Sequence, residues 1–209
     1  MNISKLAFLF LIFIVCNSSN TPNPINYISK KDVTVMFIGN SLTYTNNLPK
    51  LVKAIAKQKG ISMKTKMIAF PNYALMDHWK DGEIQKELTR IHYDFVIIRQ
   101  GPSSQAFGKE ILLKYGKKLS DLCKINQAKL CYFMVWPSLT NYYTFDNVIK
   151  NYREASISNE AILCPVGEIW KNHFDHTGNF DYYASDGFHP SQKGSLNAAK
   201  TIVECLFGK

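Results

Sequence analysis

The sequence predicts an α/β domain organised on a parallel sheet with helices on both faces. Short apolar, β-branched runs alternate along the chain with longer amphipathic stretches, the pattern that strand–helix–strand units require. The chain has 209 residues, 46% hydrophobic and 20% charged, enough to bury one substantial core in a single globular domain. No internal repeat or low-complexity tract interrupts the alternation, which excludes a solenoid.

Taken in order, VTVMFI (33–38) reads as the first strand. LPKLVKAIAKQKG (48–60) reads as a helix: Pro49 sits near its start, where a missing N–H costs nothing, and Gly60 is its stop. ISMKTKMIA (61–69) is the second strand, and the helical pattern GEIQKELTRI (82–91) separates it from the third, FVIIR (95–99). KEILLKYGKKLSDLCKI (109–125) is a long amphipathic helix leading to KLCYFMVW (129–136), and DNVIKNYREASIS (146–158) leads to AILCPV (161–166). A last amphipathic helix runs from about Ser191 to Phe207.

The first residues stand apart from this domain. Lys5 precedes the ten-residue apolar run LAFLFLIFIV, short for a bilayer span and suited to the h-region of a secretory signal. Cys16 follows directly, in an arrangement resembling a bacterial lipoprotein signal, although Ile14 and Val15 are bulkier than that signal prefers. Lipidation of Cys16 and ordinary cleavage a few residues later both stay open. The expected organisation is a signal over 1–20, a polar tether over 21–31 and the folded domain over 32–209. The protein is therefore expected to be exported, to a bacterial cell envelope or the medium, with a lipid anchor as its route to membrane attachment.

The net charge of +9 favours acidic partners, but the basic residues are scattered along helical faces rather than gathered in a groove, so no nucleic-acid partner is expected. Beyond Cys16, Cys131, Cys164 and Cys205 sit in apolar runs typical of buried free thiols, and Cys123 completes the set. No Cys/His spacing suggests zinc. His173 and His176 with Asp175, an HxxH spacing on a short helix followed by TGN, read as a surface turn rather than a metal site. Trp79, Trp136 and Trp170 lie near strand ends or the segments after them, where core packing is the expected use of each and sugar stacking the alternative.

Two short segments carry chemistry. VMFIGNSLTYTNN (35–47) is a buried strand that stops abruptly in Gly39, Asn40 and Ser41, which puts Ser41 at the carboxyl end of a strand, where ligands of parallel sheets collect. Taken alone, Ser41 reads as a cap or turn residue. SDGFHPSQKGS (185–195) contains Asp186 and His189 three residues apart, with Gly187 permitting a tight turn and Pro190 ending the loop before the last helix. A serine nucleophile needs a base, and that base needs an acid to hold its tautomer; His189 and Asp186 supply both within one loop.

GNSLT (39–43) resembles the first GDSL motif of the SGNH hydrolase superfamily, and DGFHP (186–190) resembles its closing DxxH motif. Softer similarities cover PNYALMDHW (71–79), PVGEIW (165–170) and SQKGSLNAA (191–199), so the resemblance spans the mature chain. It implies a flavodoxin-like three-layer sandwich with a five-stranded parallel sheet, with Ser41 as nucleophile, His189 as base and Asp186 as orienter. Asn40 replaces the usual Asp of the first motif. Where the superfamily's second block offers a glycine amide to the oxyanion hole, this chain has Pro71, Asn72 and Tyr73. Where the third carries asparagine after a glycine, it reads RQGPSSQ (99–105). The expected oxyanion donors are the N–H of Ser41, the N–H of Asn72 and the side chain of Gln100, with Ser103 contributing less.

The resulting expectation is an exported serine esterase of the SGNH type, acting through an acyl-enzyme without cofactor or metal. The substrate implied by the resemblance is a small-molecule or glycan ester, with acetyl or other short acyl groups on carbohydrate. Two alternatives use the same residues: a non-catalytic glycan-binding envelope protein, and an acyltransferase.

Overall fold

The computed structural model describes residues 32–208, so the proposed signal, the tether and Cys16 lie outside the described residues. The chain runs β1 (Val33–Gly39), α1 (Ser41–Tyr44), α2 (Leu48–Gln58), β2 (Met63–Ala69), α3 (Leu75–Asp81), α4 (Glu83–Arg90), β3 (Phe95–Ile98), α5 (Ala106–Ile125), β4 (Lys129–Phe133), α6 (Phe145–Ser158), β5 (Ile162–Cys164), α7 (Val166–Thr177) and α8 (Gln192–Phe207). All five strands are parallel, in the order β2-β1-β3-β4-β5.

The expected α/β sandwich with a five-stranded parallel sheet is therefore the observed fold. Every residue of β3 is buried, as a central strand covered on both sides must be. The edge strand β2 leaves Lys64 and Lys66 exposed, and such charges discourage pairing with another edge. Phe37, Ile38, Val96, Ile98 and Leu112 are at most 1% exposed, each contributing about 1.5–3 kcal/mol relative to exposure. Cys123, Cys131 and Cys164 are buried and Cys205 is half-buried, all as free thiols.

Three helices were not among the amphipathic helical patterns read from the sequence: α3, α7 and the four-residue α1. α3 is only seven residues long, too short for a clear helical period, and begins at the PNYALMDHW segment. α7 contains His173 and His176 and extends the short helix read at this HxxH spacing to twelve residues, with Gly178 as its C-cap. Their side chains face local partners: His173 stacks on Tyr182 at 4.3 Å between ring centroids, and His176 Nδ1 lies 2.7 Å from the Asn172 carbonyl one turn back.

Sheet order determines where a site can form. From β1 the chain crosses to β2 on one side, and all later strands lie on the other, so the crevice between the carboxyl ends of β1 and β3 is the topological switch point. The register pairs Ile38 with Ile98, bringing the segments that follow, Gly39-Asn40-Ser41 and Arg99-Gln100-Gly101, side by side. α5 closes against the second segment through Gly108, where an added Cβ would stand 1.7 Å from the Pro102 carbonyl oxygen, so a larger residue would push the Pro102–Ser103 wall out of position.

Candidate active site

Ser41 stands at the first position of α1, directly beyond β1. Asn40 caps this turn: its side-chain oxygen accepts from the Leu42 N–H at 3.3 Å, and its backbone carbonyl accepts from Thr43 and Tyr44. Its amide Nδ2 donates to the Tyr73 carbonyl at 3.0 Å, tying the serine turn to the loop after β2. Asn40, standing where the GDSL motif has Asp, thus braces two segments, one of them through an N–H that a carboxylate lacks. From beneath, buried His78 places Nε2 2.8 Å from the Gly39 carbonyl. Because a carbonyl only accepts, Nε2 carries the proton, and burial lowers the pKa of His78 and favours this neutral form. Sequence reasoning missed this role; the only signal was the position of His78 in PNYALMDHW.

Asp186 and His189 meet as their spacing required. His189 Nδ1 lies 2.6 Å from Asp186 Oδ2, while Asp186 Oδ1 accepts the N–H groups of Phe188 and His189, each at 2.9 Å. Gly187 adopts φ +65°, the left-handed turn expected of a glycine there. The hydrogen bond to His189, with the backbone bond to Phe188, holds the Asp186 carboxyl below its ordinary range. The carboxylate that orients the ring is therefore present at neutral pH and lost only as pH falls below the usual carboxylate range. Its side chain is half exposed, so this pairing serves orientation more than stability.

The loop carrying the pair is fastened to the sheet. Trp136 Nε1 donates to the Phe188 carbonyl at 3.0 Å, Leu139 N–H to the Gly187 carbonyl at 2.7 Å, and Tyr183 Oη to the Pro137 carbonyl at 2.8 Å. Trp136 is itself stacked on buried Trp170 at 3.5 Å. Asn46, in the left-handed region at φ 55°, donates to the Pro190 carbonyl at 3.0 Å and to Ser195 Oγ at 2.9 Å. The stretch following Ser41 is thereby joined to the stretch following His189, a connection no sequence pattern announced.

A cavity of about 480 Å³ opens at the switch point, with Ser41, Asn72, Ser103, Trp136 and Phe188 among its lining residues. It brings three of the expected donor positions together. Asn72 occupies the left-handed region at φ 61°, a conformation glycine adopts freely and asparagine tolerates, which accounts for Asn at the second-block position. Ser103 is 1% exposed, and its Oγ has no hydrogen-bond partner among the described residues.

Gln100 departs from the expectation. It is 2% exposed and is not among the lining residues; its Oε1 accepts the Leu75 N–H at 2.9 Å and its Nε2 donates to the Gly101 carbonyl at 3.1 Å. Tyr152 Oη bonds both its N–H and its carbonyl. The side chain points into the packing against α3 because Arg99 and Gln100, adjacent at a strand end, face opposite ways. Replacing Gln100 with Ala should therefore lower stability by about 1–3 kcal/mol, the cost of leaving buried polar groups unpaired. Thermal unfolding of the variant measures this directly.

Among solved structures, a protein from Slackia heliotrinireducens assigned to the SGNH hydrolases superposes with a TM-score of 0.70 at 21% identity, over 84% of this chain and 100% of that one. A lipase/acylhydrolase from Enterococcus faecalis gives 0.67 at 16% identity, over 82% and 94%. An acetyl xylan esterase gives 0.66 at 12% identity, over 81% and 98%. No family model matches the chain, and no curated protein matches it in sequence. The fold is that of the SGNH hydrolases.

Proposed function

We propose that the protein is a serine esterase in which Ser41 attacks the ester carbonyl, His189 takes the serine proton and returns it to the leaving alcohol, and water then releases the acid from the acyl-enzyme. The observation that carries this reading is the conjunction of a capped serine turn at the sheet's switch point with a 2.6 Å Asp186–His189 pair on a loop tied to the same cavity wall. The fold shared with esterases and lipases supports it.

Three groups are suited to the oxyanion: the N–H of Ser41, which the Asn40 cap leaves free, the N–H of Asn72, and the unpartnered hydroxyl of Ser103. Ser103 replaces Gln100 in this role because the Gln100 amide already serves Leu75 and Gly101. Ser103→Ala is expected to lower kcat about a hundredfold with an unchanged melting temperature. A silent Ser103→Ala in an active enzyme would remove it from the donor set.

Carbohydrate esters carrying acetyl or other short acyl groups are the favoured substrates. The cavity rim presents Tyr143, 82% exposed, and Phe188, 39% exposed, as rings able to stack on a sugar face. These differ from the tryptophans singled out by sequence, of which Trp136 and Trp170 pack inside. The acetyl xylan esterase of the same fold is consistent with such a substrate. The test is labelling with a fluorophosphonate followed by peptide mapping, alongside p-nitrophenyl acetate turnover. A single adduct on Ser41 and measurable hydrolysis are expected; an unlabelled Ser41 in folded protein would defeat the proposal.

A further inference from the structure

We infer that Arg99 forms an anion-recognition subsite in the wall of the cavity, and that the ester processed there carries a single carboxylate. The inference rests on the esterase reading and extends it to the charge of the substrate.

Arg99 follows β3 and is only 3% exposed, yet its Nε and Nη2 have no hydrogen-bond partner among the described residues. Its Cγ and Nε pass 3.2 Å from where a Cβ on Gly39 would stand, and its Nη1 ends beside Gly101, 3.5 Å from the corresponding point. Arg99 and Gly101 both line the cavity, and the missing side chain at Gly101 keeps the cover over Nη1 thin, although the guanidinium itself stays buried. The groups around it are neutral: the hydroxyls of Tyr44 and Tyr152, the neutral imidazole of His78, and Thr43, whose Oγ1 is likewise buried without a partner. Burial pulls the Arg99 pKa down to about 10, which still leaves the group cationic at neutral pH.

A buried, unpaired cation carries a large desolvation cost with no partner to offset it. Its presence is accounted for when an anion arrives from outside. Among the described residues lining the cavity, Arg99 is also the only formally charged side chain. One positive charge with no lining carboxylate raises the local concentration of anions, and guanidinium geometry suits a carboxylate. A single cation matches a monoanion, whereas a phosphate dianion would be left half-compensated. The carboxylate can belong to the acyl group or to the sugar alcohol.

Two substrate pairs separate these sources: p-nitrophenyl acetate against p-nitrophenyl hemisuccinate, and O-acetylglucose against O-acetylglucuronate. Wild type is expected to favour the acidic member of one pair by about tenfold or more in kcat/KM, and Arg99→Met to abolish that preference. Taking the ratio within a pair cancels general damage to the site. Equal rates within both pairs, or a preference that survives in Arg99→Met, would overturn the inference. A second arm needs no turnover: succinate or glucuronate at millimolar concentration should raise the melting temperature of Ser41→Ala protein but not of the Ser41→Ala, Arg99→Met double variant. Carboxylate binding with no hydrolysis of any ester would retain the subsite and defeat the esterase reading, while hydrolysis without carboxylate binding would do the reverse. Without ligand, Arg99→Met should melt at or above the wild-type temperature; a drop of more than about 5 °C would assign Arg99 to the fold instead.

Discussion

Ser41→Ala is expected to lower kcat about 10⁴-fold or more and to leave the melting temperature within experimental error of the wild type. The rate effect follows from losing the proposed nucleophile; what remains is the background that donors and binding supply on their own. The stability effect is small because the helix cap belongs to Asn40, whose hydrogen bonds to Leu42 and Tyr73 do not involve the serine hydroxyl. Pre-steady-state kinetics with p-nitrophenyl acetate provide the check. Wild type should show a burst equal to the enzyme concentration where deacylation is slow, and the variant none. Full activity in Ser41→Ala would remove the serine mechanism altogether.

Asp186→Asn is expected to cost about 10³ to 10⁴ in kcat with little change in KM. The Asn oxygen can still accept the N–H groups of Phe188 and His189, now the task of Asp186 Oδ1, so the loop holds its shape. The atom facing His189 Nδ1 then becomes an amide donor, where the carboxylate oxygen accepted at 2.6 Å. The ring answers by carrying its proton on Nε2 and loses the lone pair that would take the proton from Ser41. Asp186→Ala is the less informative change because it also removes the two backbone acceptor contacts. Loss of rate with preserved thermal stability is the expected signature; a variant that both melts early and loses KM would assign Asp186 to loop structure alone.

Much of this molecule was legible in one dimension. The five strands were readable because each is a compact apolar run bounded by polar or turn residues. Asp186 and His189 were readable as a pair because three residues with a glycine between them suffice to close a local hydrogen bond. Ser41 was legible by contrast, as a polar break at the end of a buried strand. Each is a short-range property, determined by neighbours along the chain.

What the tertiary structure alone decided is where side chains point once strands are paired. Arg99 and Gln100 look interchangeable as polar residues ending β3, but register against β1 sends Gln100 into the packing beneath Leu75 and leaves Arg99 beside the cavity. Asn72 looked like a lost glycine, and only its backbone angle of φ 61° reveals that it holds a glycine's conformation. The roles of His78 and Asn46 were not legible, since their partners, Gly39 and Pro190, lie 39 and 144 residues away in sequence. Sequence determines which chemistry is available at each strand end, because local pattern is enough to end a strand. Which of those groups meet is a matter of strand order and register, because alternate residues face opposite sides of a sheet and only pairing says which side is the site.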